Sequence, residues 1–306
     1  MNLKGQNLRI GLIPANAHSA PMVVAKSTGC TITLNSNTEP ADHKDVLGMA
    51  SMPVVTSKNF SISVDSLDVT DAAMLLTAIQ NCTPFIVEWD ETSTTDNQTR
   101  AKAAFARKGE AYINDLTLTF NDREISAKQV QLTGTGELTT IPASEAWTPV
   151  TVSQSFTRGQ FVRLFLGDDN SAVPGKVIGA ARQLSFHVSL QLESNSTKDT
   201  TEGDWERQEP TGISFDISTS ALTRSGETIT SAVEAQGLAE LEAIHNNATP
   251  VRFLIANVSG ANQRTMGSVI VSGSVILQTL TINGPNKQDS DYTAQMIGFG
   301  PYTVGE

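Results

Sequence analysis

The chain has 306 residues, of which 39% are apolar and 17% are charged, and its formal net charge is −11. The acidic balance argues against tight nucleic-acid binding, because that affinity comes from patches of lysine and arginine. The N-terminus lacks the apolar segment of a signal peptide and no later run could span a bilayer, so we expect folding in a cytoplasm. The two cysteines, Cys30 and Cys82, exclude a disulfide framework and are expected to be free, buried thiols.

The predicted elements of the first half begin after the phrase GQNLRI at Gly5. A helix is predicted from Thr70 or Asp71, either of which could cap it, and it ends before Pro84. Apolar and polar residues alternate in several segments, which predicts antiparallel strands with one face in water. These segments are residues 28–37, 58–67 and 116–122.

The second half repeats these elements in the same order, beginning with GQFVRL at Gly159. Ser231 and Glu234 have the spacing of a capping box, which predicts the start of a second helix that ends before Pro250. The offset between the copies grows from 153 residues, between Pro21 and Pro174, to 164, between Gly134 and Gly298. The segments that match the three predicted strands are 182–195, 211–222 and 278–284.

The repeat predicts a mainly β chain with two tandem domains, 1–147 and 159–306, joined by a linker at 148–158. Each domain is expected to be a β-sandwich or partly closed barrel with one flanking helix. Each also has a long polar excursion between strands, at roughly 36–57 and 194–211, and such segments often make contacts. Trp205 lies in the second excursion, either as an exposed anchor for a partner or folded back over its own domain.

No arrangement of residues in the sequence predicts catalysis. The four histidines are scattered, and His187 is expected on the outer face of a strand. The acidic cluster of Glu88, Asp90 and Glu91 lacks the aromatic cleft of a glycosidase, and the pair Asp168 and Asp169 suits a turn. We therefore predict a protein that is not an enzyme, with no metal site and no cofactor.

The segment STKDTTEGDWERQEPTGISFDISTSAL resembles the major tail tube proteins of long-tailed, siphovirus-like bacteriophages. The resemblance rests on a Lys-Asp loop, a tryptophan and an alternating strand, at Lys198, Asp199, Trp205 and Gly212. The first-half segment KGEAYINDLTLTFNDREISAKQVQLTGTGEL is similar to the closing hairpin of that family. The first excursion has no tryptophan, but its His43-Lys44-Asp45 is similar to the family's loop.

This resemblance implies a structural virion protein of the tail, assembled in the host cytoplasm. Six domains would close each ring, so a chain with two domains would form a trimer with pseudo-sixfold symmetry. Rings would stack into a hollow tube through which viral DNA passes without specific binding, in contact with the tape measure, terminator and baseplate proteins and with no membrane. The inter-ring contacts would come from the excursion residues Lys198, Asp199, Trp205, Glu206, His43, Lys44 and Asp45.

An alternative prediction is a two-domain β-sandwich binding module, such as an adhesin or a baseplate or receptor-binding component. Exposed aromatic side chains in equivalent loops of both halves would favour it. Only Trp205 meets that description in the sequence.

Overall fold

The computed structural model describes residues 5–14, 22–24, 26–41, 52–92, 100–101, 103–141, 156–167, 176–197, 204–223, 235–259 and 265–305. The strands of the first half are β1 Leu8–Pro14, β2 Met22–Val23, β3 Ser27–Pro40, β4 Pro53–Ser66, β5 Phe85–Glu91, β6 Arg107–Asn121 and β7 Ala127–Thr140. Those of the second half are β8 Val162–Gly167, β9 Lys176–Ile178, β10 Ala181–Ser194, β11 Gln208–Leu222, β12 Ala235–Gln236, β13 Val251–Ser259, β14 Thr265–Asn283, β15 Asp291–Gly298 and β16 Thr303–Val304. The described residues also form helix α1, Ala72–Gln80, helix α2, Leu238–Asn247, and two short 3₁₀ helices, Gly5–Asn7 and Gly159–Phe161.

The prediction of a mainly β chain with one helix in each half is confirmed. Within the part of the chain that the structure describes, all strand pairs are antiparallel except β12 with β9, and the 16 strands belong to one hydrogen-bonded sheet that remains open. None of the helices in the described ranges has the length and hydrophobicity needed to cross a membrane.

The strand pairings of the first half recur in the second half. In the first half β1 pairs with β2 and β5, β4 pairs with β3 and β7, and β6 pairs with β5 and β7. In the second half β8 pairs with β9 and β13, β11 pairs with β10 and β15, and β14 pairs with β13 and β15. The two halves therefore have the same topology, with the short strands β12 and β16 added in the second.

Eight of these 16 strands form one layer, the eight-stranded sheet, which runs through both halves in the order β3-β4-β7-β6-β10-β11-β15-β14. Its centre is the pair β6 and β10, which belong to different halves. The N-terminal residues 107–111 of the long strand β6 pair with β7 on one side and with β5, in the second layer, on the other. The N-terminal part of β14, residues 265–275, pairs with β13 in the same layer. Each half is thus two layers of sheet that share one long, bent strand.

The core lies between these layers and is continuous across the two halves. The predicted inward residues of β4, Phe60, Ile62 and Val64, are each 1% exposed. They belong to the same buried cluster as Phe186 and Phe253 of the second half. Burying apolar side chains from both halves in one core couples their stability.

The helices begin in different ways from those predicted. Asp71 precedes α1 but makes no capping hydrogen bond with its side chain, and it pairs with Lys128 instead. Helix α2 begins after Gly237, whose backbone N–H donates to the Glu240 carboxylate at 3.0 Å. The predicted capping pair Ser231 and Glu234 lies outside the described residues.

The polar excursions are shorter than predicted, because the flanking strands extend into them. The β3–β4 ladder continues to Pro40 and Pro53, and the β10–β11 ladder to Ser194 and Gln208. Hydrogen bonds between polar side chains, such as Asn37 to Ser57 at 2.7 Å, support the extension. Neither face is buried there, so the alternation that marks a strand in sequence is missing.

Candidate functional site: the junction between the two halves

The inter-half junction is the ladder between residues 115–121 of β6 and 183–189 of β10. Leu116, Leu118 and Phe120 of β6 lie opposite Val188, Phe186 and Leu184 of β10. All of these side chains are at most 3% exposed. The junction therefore has the composition of a core, and its backbone groups are paired as inside a single sheet.

His187 bridges the junction on the opposite, polar face, where the sequence analysis predicted it. Its Nε2 lies 2.7 Å from Asp115 Oδ2 of the first half, and its Nδ1 lies 2.6 Å from Asp216 Oδ1 of β11. Partial burial opposes the charged imidazolium, but the hydrogen bonds and charges of the two aspartates outweigh it and raise the pKa of His187. In its protonated form the ring donates to both carboxylates and ties three strands together.

The start of the second half packs against the β6–β7 turn of the first. Ser126 N–H donates to Thr157 O at 2.8 Å, and Gly159 N–H donates to Glu124 O at 2.9 Å. A Cβ at position 159 would overlap the backbone of Asn121. Glycine is therefore required there by close backbone approach, which explains one of the two repeated Gly-Gln pairs.

The docking segment, residues 204–208, ties the second half to β4 and β7 of the first. Lys58 N–H donates to Asp204 O at 2.6 Å, and Glu206 N–H donates to Lys58 O at 2.9 Å. Between these bonds, the Trp205 ring packs edge-on against Phe60, with centroids 6.3 Å apart. Trp205 is thus half-buried on the other half of the chain, and neither exposed nor folded over its own domain.

Glu206 accepts hydrogen bonds from the polar end of the β3–β4 hairpin. Its Oε1 accepts from Ser57 at 2.6 Å and from Asn37 at 2.9 Å, and its Oε2 accepts from Asn59 at 3.1 Å. Gly136, whose own φ is 76°, donates its N–H to the Glu206 carbonyl at 2.8 Å. These contacts fix the end of the second excursion on the first half.

The C-terminal segment returns to the first half as well. Tyr302 is 2% exposed, and its hydroxyl donates to Leu76 O of α1 at 2.7 Å. Gln80 of the same helix donates to Tyr302 O at 3.0 Å. Burial raises the pKa of Tyr302 well above its usual value, so the hydroxyl stays protonated and remains a donor.

The predicted acidic cluster is a structural ion-pair network. Glu88 and Asp90 are fully buried, and Arg100 donates to them through Nη2 at 2.9 Å and Nε at 2.8 Å. The backbone N–H groups of Glu91 and Ala103 also donate to Asp90 Oδ1. Carboxylates that are buried and paired in this way hold Arg100 and Ala103 of the β5–β6 connection and are not exposed to a substrate in solution.

A cleft of about 560 Å³ opens where the halves meet and is lined by charges of both signs. Lys108 and Arg207 face Glu110, Glu137 and Glu209 around it. Within the described parts of the chain no cluster of three His, Cys, Asp or Glu residues could hold a metal ion. Cys30 and Cys82 are free thiols as predicted, but they are only half-buried.

The structure places two of the predicted contact residues, Trp205 and Glu206, against the first half. Lys198, Asp199, His43, Lys44 and Asp45 lie outside the described residues. The sequence analysis missed Asp115, His187 and Asp216 as a group, because they come from three strands and nothing in their local sequence links them.

No family model matches the chain, and no curated protein matches it. Among solved structures, the tail of an empty gene transfer agent particle refined with C6 symmetry is 14% identical, with a TM-score of 0.37, over 48% of this chain and 98% of that one. The virion of a native gene transfer agent particle is 14% identical, with a TM-score of 0.36 over the same shares. The SPP1 tail tube is also 14% identical, with a TM-score of 0.36, over 48% of this chain and 78% of that one.

Proposed function

We propose that the chain is a structural virion protein whose copies join side by side into closed rings that stack into a hollow tail tube. The inter-half junction is the observation that carries this proposal. It joins two units of the same topology, edge to edge, into one sheet of eight strands. A sheet edge is a template for further pairing, and pairing around a closed ring leaves no edge exposed.

The repeated pairings support a duplicated unit, with one chain holding two copies. Three chains would then supply six units and close as a trimer with pseudo-sixfold symmetry. Fusing two units makes every second junction intramolecular, so each ring needs half as many encounters between chains. The two kinds of junction are also free to differ in sequence.

The polar face of the eight-stranded sheet would line the channel, because both helices and the second layer lie on the other side. At the junction this face carries Asp115, Asp216 and His187, and Asp65 lies on the same face of β4. The surrounding positions of these strands are mostly serine, threonine and glutamine. A polar, acidic wall repels phosphate, so DNA would pass without sticking.

The excursions would make the contacts between stacked rings. Trp205 and Glu206 would hold the end of the second excursion in place, so that Lys198 and Asp199 extend toward the next ring. His43, Lys44 and Asp45 would act in the same way in the first excursion. In the virion the tube would contact the tape measure, terminator and baseplate proteins.

The role is structural and not enzymatic in this proposal. The buried acids Glu88 and Asp90 are paired with Arg100, which leaves them no catalytic function. The packing of Trp205 on Phe60 also removes the aromatic side chain that favoured a binding module.

Mass photometry and negative-stain microscopy of the purified chain test the proposal. We expect a species at three times the 32.6 kDa of one chain, and rings or tubes as the concentration rises. A protein that stays monomeric and dispersed at high concentration would rule out this function.

A further inference from the structure

We propose that the open edges of β3 and β14 pair between neighbouring copies, antiparallel and in the register of the inter-half junction. This inference rests on the proposed function, in which copies join head to tail. Strand β3 corresponds to β10, and β14 corresponds to β6. Among the described strands, β3 pairs only with β4, and the C-terminal part of β14, residues 279–283, pairs only with β15.

Two phenylalanines that each lie over a glycine fix the correspondence of β4 with β11, and therefore of β3 with β10. A Cβ on Gly134 would overlap the Phe60 ring, and one on Gly298 would lie 2.5 Å from the Phe215 ring. Phe60 and Phe215 are therefore equivalent. Their partners across the ladder are Leu34 and Val188, respectively, so Leu34 of β3 is the equivalent of Val188 of β10.

The same glycines fix the correspondence of β6 with β14. Gly134 pairs with Ala111, and Gly298 pairs with Val275. Both ladders have an irregularity a few residues further on, so an offset of 164 holds along the strand. Leu116 is then equivalent to Leu280, and Leu118 to Ile282. The sequence alignment of 116–122 with 278–284 is wrong by two residues.

The exposure of the equivalent side chains shows that each edge lacks the neighbouring strand that buries these positions in the inter-half junction. Val188 and Leu118, inside the junction, are 0% and 1% exposed. Their equivalents Leu34 and Ile282 are 60% and 54% exposed. An apolar side chain in the middle of a regular strand, with no neighbour beside it, is typical of an interface.

Transferring the register of the junction gives the contacts between copies. Val188 pairs with Leu116 and Phe186 with Leu118, so Leu34 would pair with Leu280 and Ile32 with Ile282 of the neighbouring copy. Thr33 and Thr281 would pair on the polar face. Apolar side chains meet apolar ones, and hydroxyls meet hydroxyls, which is the complementarity that a shared sheet needs.

The N-terminal turn supports the same contact independently. Gly159 is needed because it touches the backbone of Asn121, but a Cβ on its equivalent, Gly5, would meet nothing within 4 Å. In the transferred arrangement, Gly5 of one copy lies against the β14–β15 turn of the next. Glycine would then be required at position 5 for the same reason as at position 159, namely the close approach of another backbone.

The two junctions would differ in their charged groups. The equivalents of His187, Asp115 and Asp216 are Thr33, Thr279 and Ser61, in β3, β14 and β4. The junction between copies would thus lack the ionisable bridge of the inter-half junction. Its association should be insensitive to the protonation of His187.

Cysteine cross-linking tests the register. Thr33→Cys and Thr281→Cys are combined in one chain whose Cys30 and Cys82 are changed to alanine, and mild oxidation follows. Directly opposed Cβ atoms lie roughly 4.5–5.5 Å apart, close to disulfide distance, whereas diagonal neighbours are roughly 7–8 Å apart. The matched control is Thr33→Cys with Thr279→Cys, one diagonal step away.

We expect covalent dimers and trimers for the 33/281 pair and much less product for the 33/279 pair. Rings that form in the microscope without the 33/281 cross-link, or with more 33/279 product, would overturn the register and leave the proposed function intact. A chain that never leaves the monomeric state would overturn both.

Gly5→Ala is a second test that does not depend on cysteine chemistry. Its thermal unfolding as a monomer should match that of the original chain, because the site is open. Ring assembly should weaken by roughly tenfold or more, because the added methyl would clash across the contact. Unchanged assembly would contradict the placement of Gly5 at the junction.

Discussion

Phe60 and Trp205 meet edge to face across the two halves of the chain, with ring planes at 77° and centroids 6.3 Å apart. Phe60 is 1% exposed and also contacts Trp89 in the same core. The second excursion therefore ends packed against the core of the first half. The two halves are coupled by this contact as well as by the β6–β10 ladder.

Trp205→Ala should destabilise the whole chain by about 2–3 kcal/mol, because it removes a partly buried aromatic ring and leaves a cavity beside Phe60. Urea unfolding measures the effect, and Trp205→Phe, which keeps a ring, should recover most of the loss. A change of less than about 0.5 kcal/mol for the alanine variant would show that the ring contributes only surface contact.

The stability contributed by His187 should fall as pH rises. Its folded-state pKa lies above the unfolded value of about 6.5, so the contribution is complete below that value and is lost as pH rises through the folded pKa. Unfolding of the original chain and of His187→Gln is compared at several values between about pH 5.5 and 8.5. The difference should shrink with rising pH, and a constant difference would argue against a charged bridge. Its size should be modest, because the imidazole is 32% exposed and water screens the pairs.

Arg100→Met should cost about 3–5 kcal/mol, because it leaves the buried carboxylates of Glu88 and Asp90 without their cation. Arg123→Met is the matched control, since the Arg123 side chain is 88% exposed and its loss should be nearly neutral. Adding Glu88→Gln and Asp90→Asn to the Arg100 variant should recover part of the loss. If this triple variant is less stable than Arg100→Met, repulsion between buried charges is not the cause.

Gly134→Ala should destabilise the chain by roughly 1–3 kcal/mol, because the new methyl group would push against the Phe60 ring. Gly29→Ala is the control in β3 of the same sheet, where the nearest atom to the new methyl would be 3.6 Å away. Thermal unfolding compares the two variants. Equal melting temperatures would mean that the Phe60 ring can move aside.

The sequence predicted the strands that bury one face, and missed the parts that bury neither. Phe60, Ile62 and Val64 alternate with polar residues and point into the core as expected. The ends of the long hairpins pair through polar side chains such as Asn37 and Ser57, and the sequence there does not alternate between apolar and polar residues. A strand that is exposed to solvent on both faces therefore has the sequence pattern of a loop.

The sequence also could not distinguish two strands that have the same pattern but different neighbours. Cys30, Ile32 and Leu34 alternate in β3 as Leu184, Phe186 and Val188 do in β10. Only the second set is buried, because only β10 has β6 beside it. Burial depends on which strand lies next, which is a property of the assembled sheet.

The sequence by itself determined that the chain is mainly β, with a repeated order of elements and one helix in each half. Those features follow from local periodicity and from the prolines and glycines that end elements, which act over a few residues. Only the tertiary structure decided that β6 meets β10, that Trp205 docks on Phe60 and that His187 lies between two aspartates. These contacts join residues 29 to 145 positions apart in the chain. Backbone groups are the same in every strand, so the sequence of one strand does not specify which other strand it pairs with.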